Sequence, residues 1–583
     1  MLVRMMARLL AGHKVAVTAI LLLQLVQTAG NLLLPTINAS IIDDGIVKGD
    51  TGLILRLGGW MSGIAAMQVL AALGAGYLGA SVAMKLGRQL RRELFAQIQN
   101  LSSQEVAAFG TPSLITRATI DVQQIQSLAV LVFTMLVAAP VMGIGGIALA
   151  LHKDVALSGI VIAIVPVLLL IMYLIVRRLV PLYRRGQELV DRIGGVLREQ
   201  IIGANVIRAF VRQRHETSRF AEANRQLTGN NLQSALMVAG MLPLIMIVVN
   251  LSSVGVVWFG GHRIEDGQMQ LGSLTAFIAY ILQILMAIMM AMYVFMTAPR
   301  AAVCAERIQA VLDTAPAISD AADAADPLAM AAGGALKGAV EFRNVGFSYP
   351  GAEAAVLGNV TFTARPGTTT AIIGSTGSGK STLLNLLPRF LDATAGEIRI
   401  AGHNIRSLRL DHLRGCLSMV PQQAYLFAGT VAENLRVAAP SAPDLELWLA
   451  LRTAQAEDFV RKLPGGLQSA VAQGGTGLSG GERQRLCIAR ALLRKAPVYL
   501  FDDSFSALDY ATEARLRDAM APTLDGAVTI IVAERVSTIV DASLILVLDD
   551  GRLVAQGTHA ELLESSRTYR EIAASQLALE DSP

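Results

Sequence analysis

The most pointed chemistry in the chain lies in Gly374-Ser375-Thr376-Gly377-Ser378-Gly379-Lys380-Ser381-Thr382, which fits the pattern G-x-x-x-x-G-K-[ST] without a gap. Glycines let such a loop fold tightly and turn backbone N–H groups onto phosphate oxygens, and a helix beginning there adds partial positive charge. Lys380 is spaced to reach the β- and γ-phosphates of a bound nucleotide, and the Ser381 hydroxyl to ligand Mg²⁺. The run Val498–Asp502 reads as an apolar strand ending in a carboxylate, so Asp502 would hold the same metal directly or through water. Between them, in Leu478, Ser479, Gly480, Gly481 and Glu482, the Ser-Gly-Gly opens a helix expected over Glu482–Arg494, which makes a second anion-binding N-terminus. One phosphate loop and one extra anion site per chain suggest two chains sharing nucleotides.

The elements that must position these residues are those of an α/β domain. A short buried strand at Thr370–Ile373 precedes the loop and a helix at Leu383 follows it. Further strands are expected within Gly338–Tyr349 and at Thr361–Thr363. This ATP-binding domain is assigned to residues 338–583, and a linker rich in Ala, Asp and Gly to 315–337.

Residues 1–314 differ in kind. The chain has 583 residues, too many for one core, only 16% of them charged, and a mean hydropathy of +0.51. Its apolar runs before Pro299 have the roughly 20-residue length needed to cross a bilayer. Six spans are expected, at about 15–34, 57–84, 127–151, 155–176, 235–261 and 272–298, forming a membrane α-helical bundle. The first exceeds a signal-peptide core and lacks a cleavage site, so it is expected to be retained. The basic residues Arg4, Arg8 and Lys14, then Lys85, Arg88, Arg91, Arg92 and Arg117, then the cluster from Arg177 to Arg214 all fall on one side. That distribution places both chain ends and the ATP-binding domain in the cytoplasm of a cell (inner) membrane. The formal charge of +4 is concentrated beside the membrane, which argues against nucleic-acid binding.

No Asp, Glu, Lys or Arg lies inside a span, which argues against an ion-coupled carrier. The few polar span residues, among them Gln24, Asn31, Gln68 and Gln283, suit helix-to-helix hydrogen bonds or a cavity wall. The methionines Met286, Met289, Met290, Met292 and Met296 suit gap-filling packing or an adaptable lining. Segments 87–101 and 189–212 keep helical periodicity, so the membrane helices are expected to continue into the cytosol. Cys304, Cys416 and Cys487 match no metal or redox pattern.

The chain closely resembles ATP-binding cassette (ABC) transporters, as a half-transporter of the exporter fold: six spans, linker, cassette. By this resemblance Tyr349 stands where the family stacks adenine, Gln422 matches the Q-loop that touches Mg²⁺, and Leu478 to Glu482 match the signature that serves a partner's ATP. Ser506, Ala507, Leu508 and Asp509 match the D-loop. It also implies ATP and Mg²⁺ as cofactors, two cassettes sandwiching two ATP molecules, and coupling helices near 104–113 and 203–213.

Two positions depart from the family. Asp503 stands where hydrolysing members carry the general-base Glu. Being one methylene shorter, it falls short of an attacking water by about an ångström, enough to cost of order a hundredfold. Glu534 replaces the switch His, and an ionised carboxylate accepts hydrogen bonds but cannot donate one to a γ-phosphate. A smaller departure is Gln473, where exporters often have Glu.

With the signature intact, this pattern is that of one subunit of a heterodimer, ahead of a homodimer. The expected activity is ATP-driven export of amphipathic, lipid-like or drug-like molecules from the bilayer or cytosol. The alternatives are an importer of siderophores or lipids on the same fold, and a regulatory ATP-binding subunit.

Overall fold

The computed structural model describes residues 1–321 and 338–580; most of the expected linker at 315–337 lies outside them. The chain forms two compact units, Met1–Gln99 with Phe109–Thr314, and Asn100–Ala108 with Ala315–Pro583.

Six helical stretches in the first unit are long and apolar enough to cross a membrane: Leu2–Ile46, Thr51–Asn100, Thr111–Lys153, Val155–Ile202, Gln213–Glu265 and Leu271–Leu312. Each runs 42 to 53 residues, whereas about 20 suffice for the hydrocarbon, so the helices extend well beyond the bilayer. The third is not one regular helix. Wide π-type turns at Arg117–Asp121 and Val132–Leu136 interrupt it, the second inside the span expected at 127–151. The arm expected through Arg212 ends at Ile202 and is followed by a short helix, Ala204–Ala209.

Two buried carboxylates of this unit tie helix ends. The Asp154 side chain caps Val155–Ile202 by accepting from the Leu157 amide at 3.0 Å, and it pairs with Arg263 at 2.9 Å. Asp43 is buried and accepts from the Gly272 amide at 2.6 Å. Inside the bundle, polar span residues join helix to helix: Gln283 donates to the Asn31 carbonyl at 2.7 Å, and the Tyr280 and Thr36 hydroxyls lie 2.6 Å apart. The sixth helix buries Phe277, Tyr280, Ile281 and Ile284. Of its methionines, Met292 is buried and Met286 exposed.

In the second unit the main sheet has the order β12-β11-β3-β10-β9-β6, from β3 (Thr369–Gly374), β6 (Leu417–Val420), β9 (Val498–Asp502), β10 (Val528–Val532), β11 (Leu544–Asp549) and β12 (Arg552–Gly557). All neighbours in it are parallel except the edge pair β11–β12. A smaller antiparallel sheet, β2-β1-β4-β5, comprises β1 (Val340–Phe347), β2 (Leu357–Ala364), β4 (Ala395–Ile400) and β5 (His403–Asn404). The short strands β7 (Gly429–Thr430) and β8 (Ala470–Val471) pair with each other. The central strands are buried along their length, hence their unbroken apolar sequence. The short helix Ser103–Phe109 lies largely within this unit: Ser103 Oγ reaches the Phe390 carbonyl at 3.5 Å, and Glu105 accepts from the Ala317 amide at 3.3 Å.

Gly272 is the tightest joint in the membrane unit, since a Cβ there would lie 2.2 Å from the Ala39 carbonyl oxygen and 2.7 Å from Asp43 Oδ2. Gly272→Ala is therefore expected to destabilise the unit by about 1–3 kcal/mol and to lower the thermal midpoint of the detergent-purified protein. Gly255→Ala, with nothing within 4 Å, should leave it unchanged or slightly raised.

Candidate nucleotide site

The site stands at the C-terminal edge of the main sheet, where ligands of open parallel sheets bind. Register decides who meets there. Val532 pairs with both Ile372 and Asp502, so β10 and β9 end level and β3 runs two residues further, to Gly374. The residues that follow each strand, Gly374 onward, Asp503 and Glu534, are brought to one edge.

The loop leaves β3 at Gly374, where a Cβ would come within 2.1 Å of the Leu548 carbonyl oxygen on β11. It enters the helix Lys380–Leu386 through Gly379, which has φ +94° and would drive a Cβ against Leu357. Ser375, Thr376 and Gly377 are exposed at the crest, and Ser378 is buried with its hydroxyl unpartnered. Lys380 is 9% exposed and donates to the carbonyls of Gly374 at 2.9 Å and Ser375 at 2.8 Å. Burial lowers its pKa, while Glu534, Asp503 and Asp502 pull it back up.

Ser381 Oγ donates to Asp502 Oδ1 at 2.8 Å. A hydroxyl and a carboxylate in contact form a hard oxygen pair of the kind Mg²⁺ takes alongside water and phosphate oxygens. Among the described residues there is no cluster of three His, Cys, Asp or Glu that would hold a metal unaided. Burial raises the pKa of Asp502, against the Ser381 hydrogen bond and Lys380. Asp503 is also raised, first by burial and then by the charges of Glu534 and Asp502, while hydrogen bonds from Ser506 and Gln422 lower it. Its backbone is in the left-handed region, at φ +45°. Tyr349 is exposed at 41%, packs edge-on against Phe347, and has its hydroxyl 3.4 Å from Thr382 Oγ1.

The phosphate loop, Asp502, Asp503, Glu534 and Gln422 thus meet in one place. The segment Leu478–Glu482 has other neighbours. Ser479 caps the helix Gly480–Leu493 by a reciprocal box with Glu482, so the helix begins two residues before the position expected. Gly481 sits under the Ala507 carbonyl and Leu508, in the segment Ser506–Asp509. Among the described residues no hydrogen bond joins Leu478–Glu482 to the phosphate loop. Its Ser479 and Gly480 are exposed, as is Gln473.

Two side chains that no motif announced hold the site's loops. Arg535 donates to the carbonyls of Ser506 at 3.2 Å and Leu508 at 3.3 Å, and it lies over the Tyr510 ring and 3.8 Å from buried Glu513. Gln576, from the helix Arg567–Glu580, donates to the Glu534 carbonyl and accepts from the Val536 amide, both at 2.7 Å. The position of Arg535 directly after Glu534 was a signal; Gln576, in a polar helix far along the chain, gave none.

Comparison with known proteins agrees along the whole chain. The model for the ABC transporter transmembrane region matches residues 17–288, and that for the ABC transporter matches 357–506. An uncharacterized ABC transporter ATP-binding protein of Mycobacterium tuberculosis (strain ATCC 25618 / H37Rv) is 45% identical over 99% of this chain and 98% of its own length. The ATP-dependent lipid A-core flippase of Chromobacterium violaceum is 30% identical over 97% of this chain and 96% of its own. A solved structure of a bacterial Atm1-family ABC exporter with ATP bound superposes with a TM-score of 0.83 at 26% identity, covering 97% of this chain and 98% of that one.

Because the charged form of Asp503 is disfavoured in the fold, the folded chain binds a proton there more tightly than the unfolded chain. Stability at this group therefore falls as pH rises from the ordinary carboxylate range through the raised folded pKa, and stays lowered above it. Asp503→Asn should raise the thermal midpoint at pH 8, with the gain shrinking as pH is brought down toward 5 in the same assay.

Proposed function

This chain belongs to the ABC transporter family, and on that premise we propose that it is one half of a heterodimeric ATP-driven exporter whose own phosphate loop holds ATP rather than turning it over. The observation that carries this reading is the presence of Asp503 and Glu534 together beside an otherwise complete phosphate loop. Lys380 contacts the β- and γ-phosphates, the backbone of Gly374–Thr382 cradles them, and Tyr349 stacks on the adenine. Ser381, Asp502 and Gln422 would hold Mg²⁺, which would supply positive charge to offset that of the phosphates. Asp503 stands one methylene back from an attacking water, and Glu534 presents a second negative charge where a hydrogen-bond donor is wanted. ATP bound here would be kept with little turnover.

Hydrolysis then belongs to the other composite site, where Leu478–Glu482 close over the ATP of the second chain and Ser506–Asp509 line the junction. ATP-driven closure of the cassettes shifts the membrane helices between inward- and outward-facing states. Amphipathic or lipid-like cargo is supported by spans free of charge and by the lipid A-core flippases among the relatives. The charge distribution supports a cell-membrane location with both ends and the cassette in the cytoplasm.

The subunit arrangement is tested by purifying the chain alone. Little ATPase activity is expected without a partner, and brisk turnover that Lys380→Ala abolishes would overturn the proposal. In the assembled complex, with the other phosphate-loop lysine replaced so that only this site can act, Asp503→Glu with Glu534→His should raise turnover by roughly a hundredfold. An unchanged rate would refute the holding-site reading.

A further inference from the structure

Two clefts open between the fourth and fifth membrane helices, Val155–Ile202 and Gln213–Glu265. One, of about 720 Å³, is walled by Ile160, Ile164 and Phe259 with His262 and Arg263 beside them. The other, of about 600 Å³, is lined by Leu174, Arg177, Arg178 and Pro181 of the fourth helix and by Gln233 and Met237 of the fifth. From Ile160 to Arg178 an ideal helix rises about 27 Å, close to the ~30 Å of the hydrocarbon layer. The second cleft therefore sits at the headgroup level of one leaflet, on the side where the chain continues into the nucleotide-binding unit.

From this cleft we infer a binding site for an anionic glycerophospholipid. Arg177 and Arg178 are both exposed, and among the described residues neither has a hydrogen bond or ion pair. Further along the helix Arg185 pairs with Glu188 at 2.8 Å, while exposed Arg184 is likewise without a side-chain partner among the described residues but does not line the cleft. Both line the cleft, one toward each side of the helix face that borders it, and a guanidinium fork matches the oxygens of a phosphodiester. Leu174, one turn toward the bilayer centre, and Met237 across from it offer an apolar bed for the acyl chains.

The cleft is built into the helices. Pro181 has no N–H to give the Arg177 carbonyl, which leaves that carbonyl without its intrahelical partner at this level. Further along, Gly186 lets the fifth helix approach: the Asn230 amide donates to the Leu182 carbonyl at 3.0 Å, and a Cβ on Gly186 would lie 3.0 Å from Asn230 Nδ2. That contact closes the cleft on its cytosolic side. Among the described residues no acidic one lines the cleft, so none of them answers the positive amine of choline or ethanolamine. The selection is for net negative lipid, as in basic pockets between membrane helices generally.

The test is native mass spectrometry of the full-length purified chain titrated with phosphatidylglycerol or phosphatidylcholine of identical acyl chains. Phosphatidylglycerol should bind at least tenfold more tightly. Arg177→Gln with Arg178→Gln should abolish that preference. Met237→Trp, which fills the bed and keeps both charges, should weaken phosphatidylglycerol as well. Arg212→Gln with Arg214→Gln, an equal charge change elsewhere, should leave it intact. Equal binding of the two lipids, a preference that survives the Arg177 and Arg178 changes, or displacement by equimolar glycerol phosphate would each overturn the assignment.

Discussion

A lysine taken out of water at the end of a parallel strand is the constraint around which the nucleotide-binding unit is arranged. Removing an ammonium from solvent is costly unless it is hydrogen-bonded and faced by negative charge. Lys380 meets both conditions through the Gly374 and Ser375 carbonyls and the field of Asp502, Asp503 and Glu534. Those carbonyls are available only because the loop turns back on itself at Gly379. The carboxylates are near only because β10 and β9 end level beside the end of β3. Three acids around one base leave the pocket net negative when all are ionised, and the polyanion it is built for adds more negative charge. Relief comes from a cation beside Asp502 or a proton on the half-buried Asp503. A histidine in place of Glu534 would remove one negative charge outright.

The membrane unit answers the opposite problem, keeping ionic groups out of the hydrocarbon while holding long helices in fixed relation. It ties its ends with buried carboxylates on backbone amides, as at Asp43 and Asp154, and its middle with neutral contacts, as between Gln283 and the Asn31 carbonyl. Of its basic residues, Arg177 and Arg178 line a cleft between the fourth and fifth helices rather than an open face.

Legibility in the sequence followed the range of the forces involved. The phosphate loop and the strand ending at Asp502 are local devices whose backbone needs are written in adjacent residues, and they read directly, whereas the Ser479–Glu482 cap did not, its helix beginning two residues before the position expected. The six spans read from length and apolarity, because lipid constrains every residue of a crossing helix alike. The π-type turns within 117–136 did not read, since they leave the hydropathy of the third span unchanged. Nor did Gln576, whose partners Glu534 and Val536 become neighbours only once the C-terminal helix has packed. The meeting of Asp503 with Glu534 lay between these cases: the residue types were visible, but their shared edge depends on strand register.

The Gln576 amide also bears on how this cassette can be recombined. One side chain fixes a carbonyl on one side of Arg535 and an N–H on the other, while Arg535 holds the carbonyls of Ser506 and Leu508. The last helix, the segment after β10 and the segment after β9 therefore form a single inherited module. A chimera whose splice falls between 540 and 570 would part the amide from the backbone it reads. Splices that keep 500–580 from one parent preserve it, so the natural seam for exchanging cassettes lies upstream of β9.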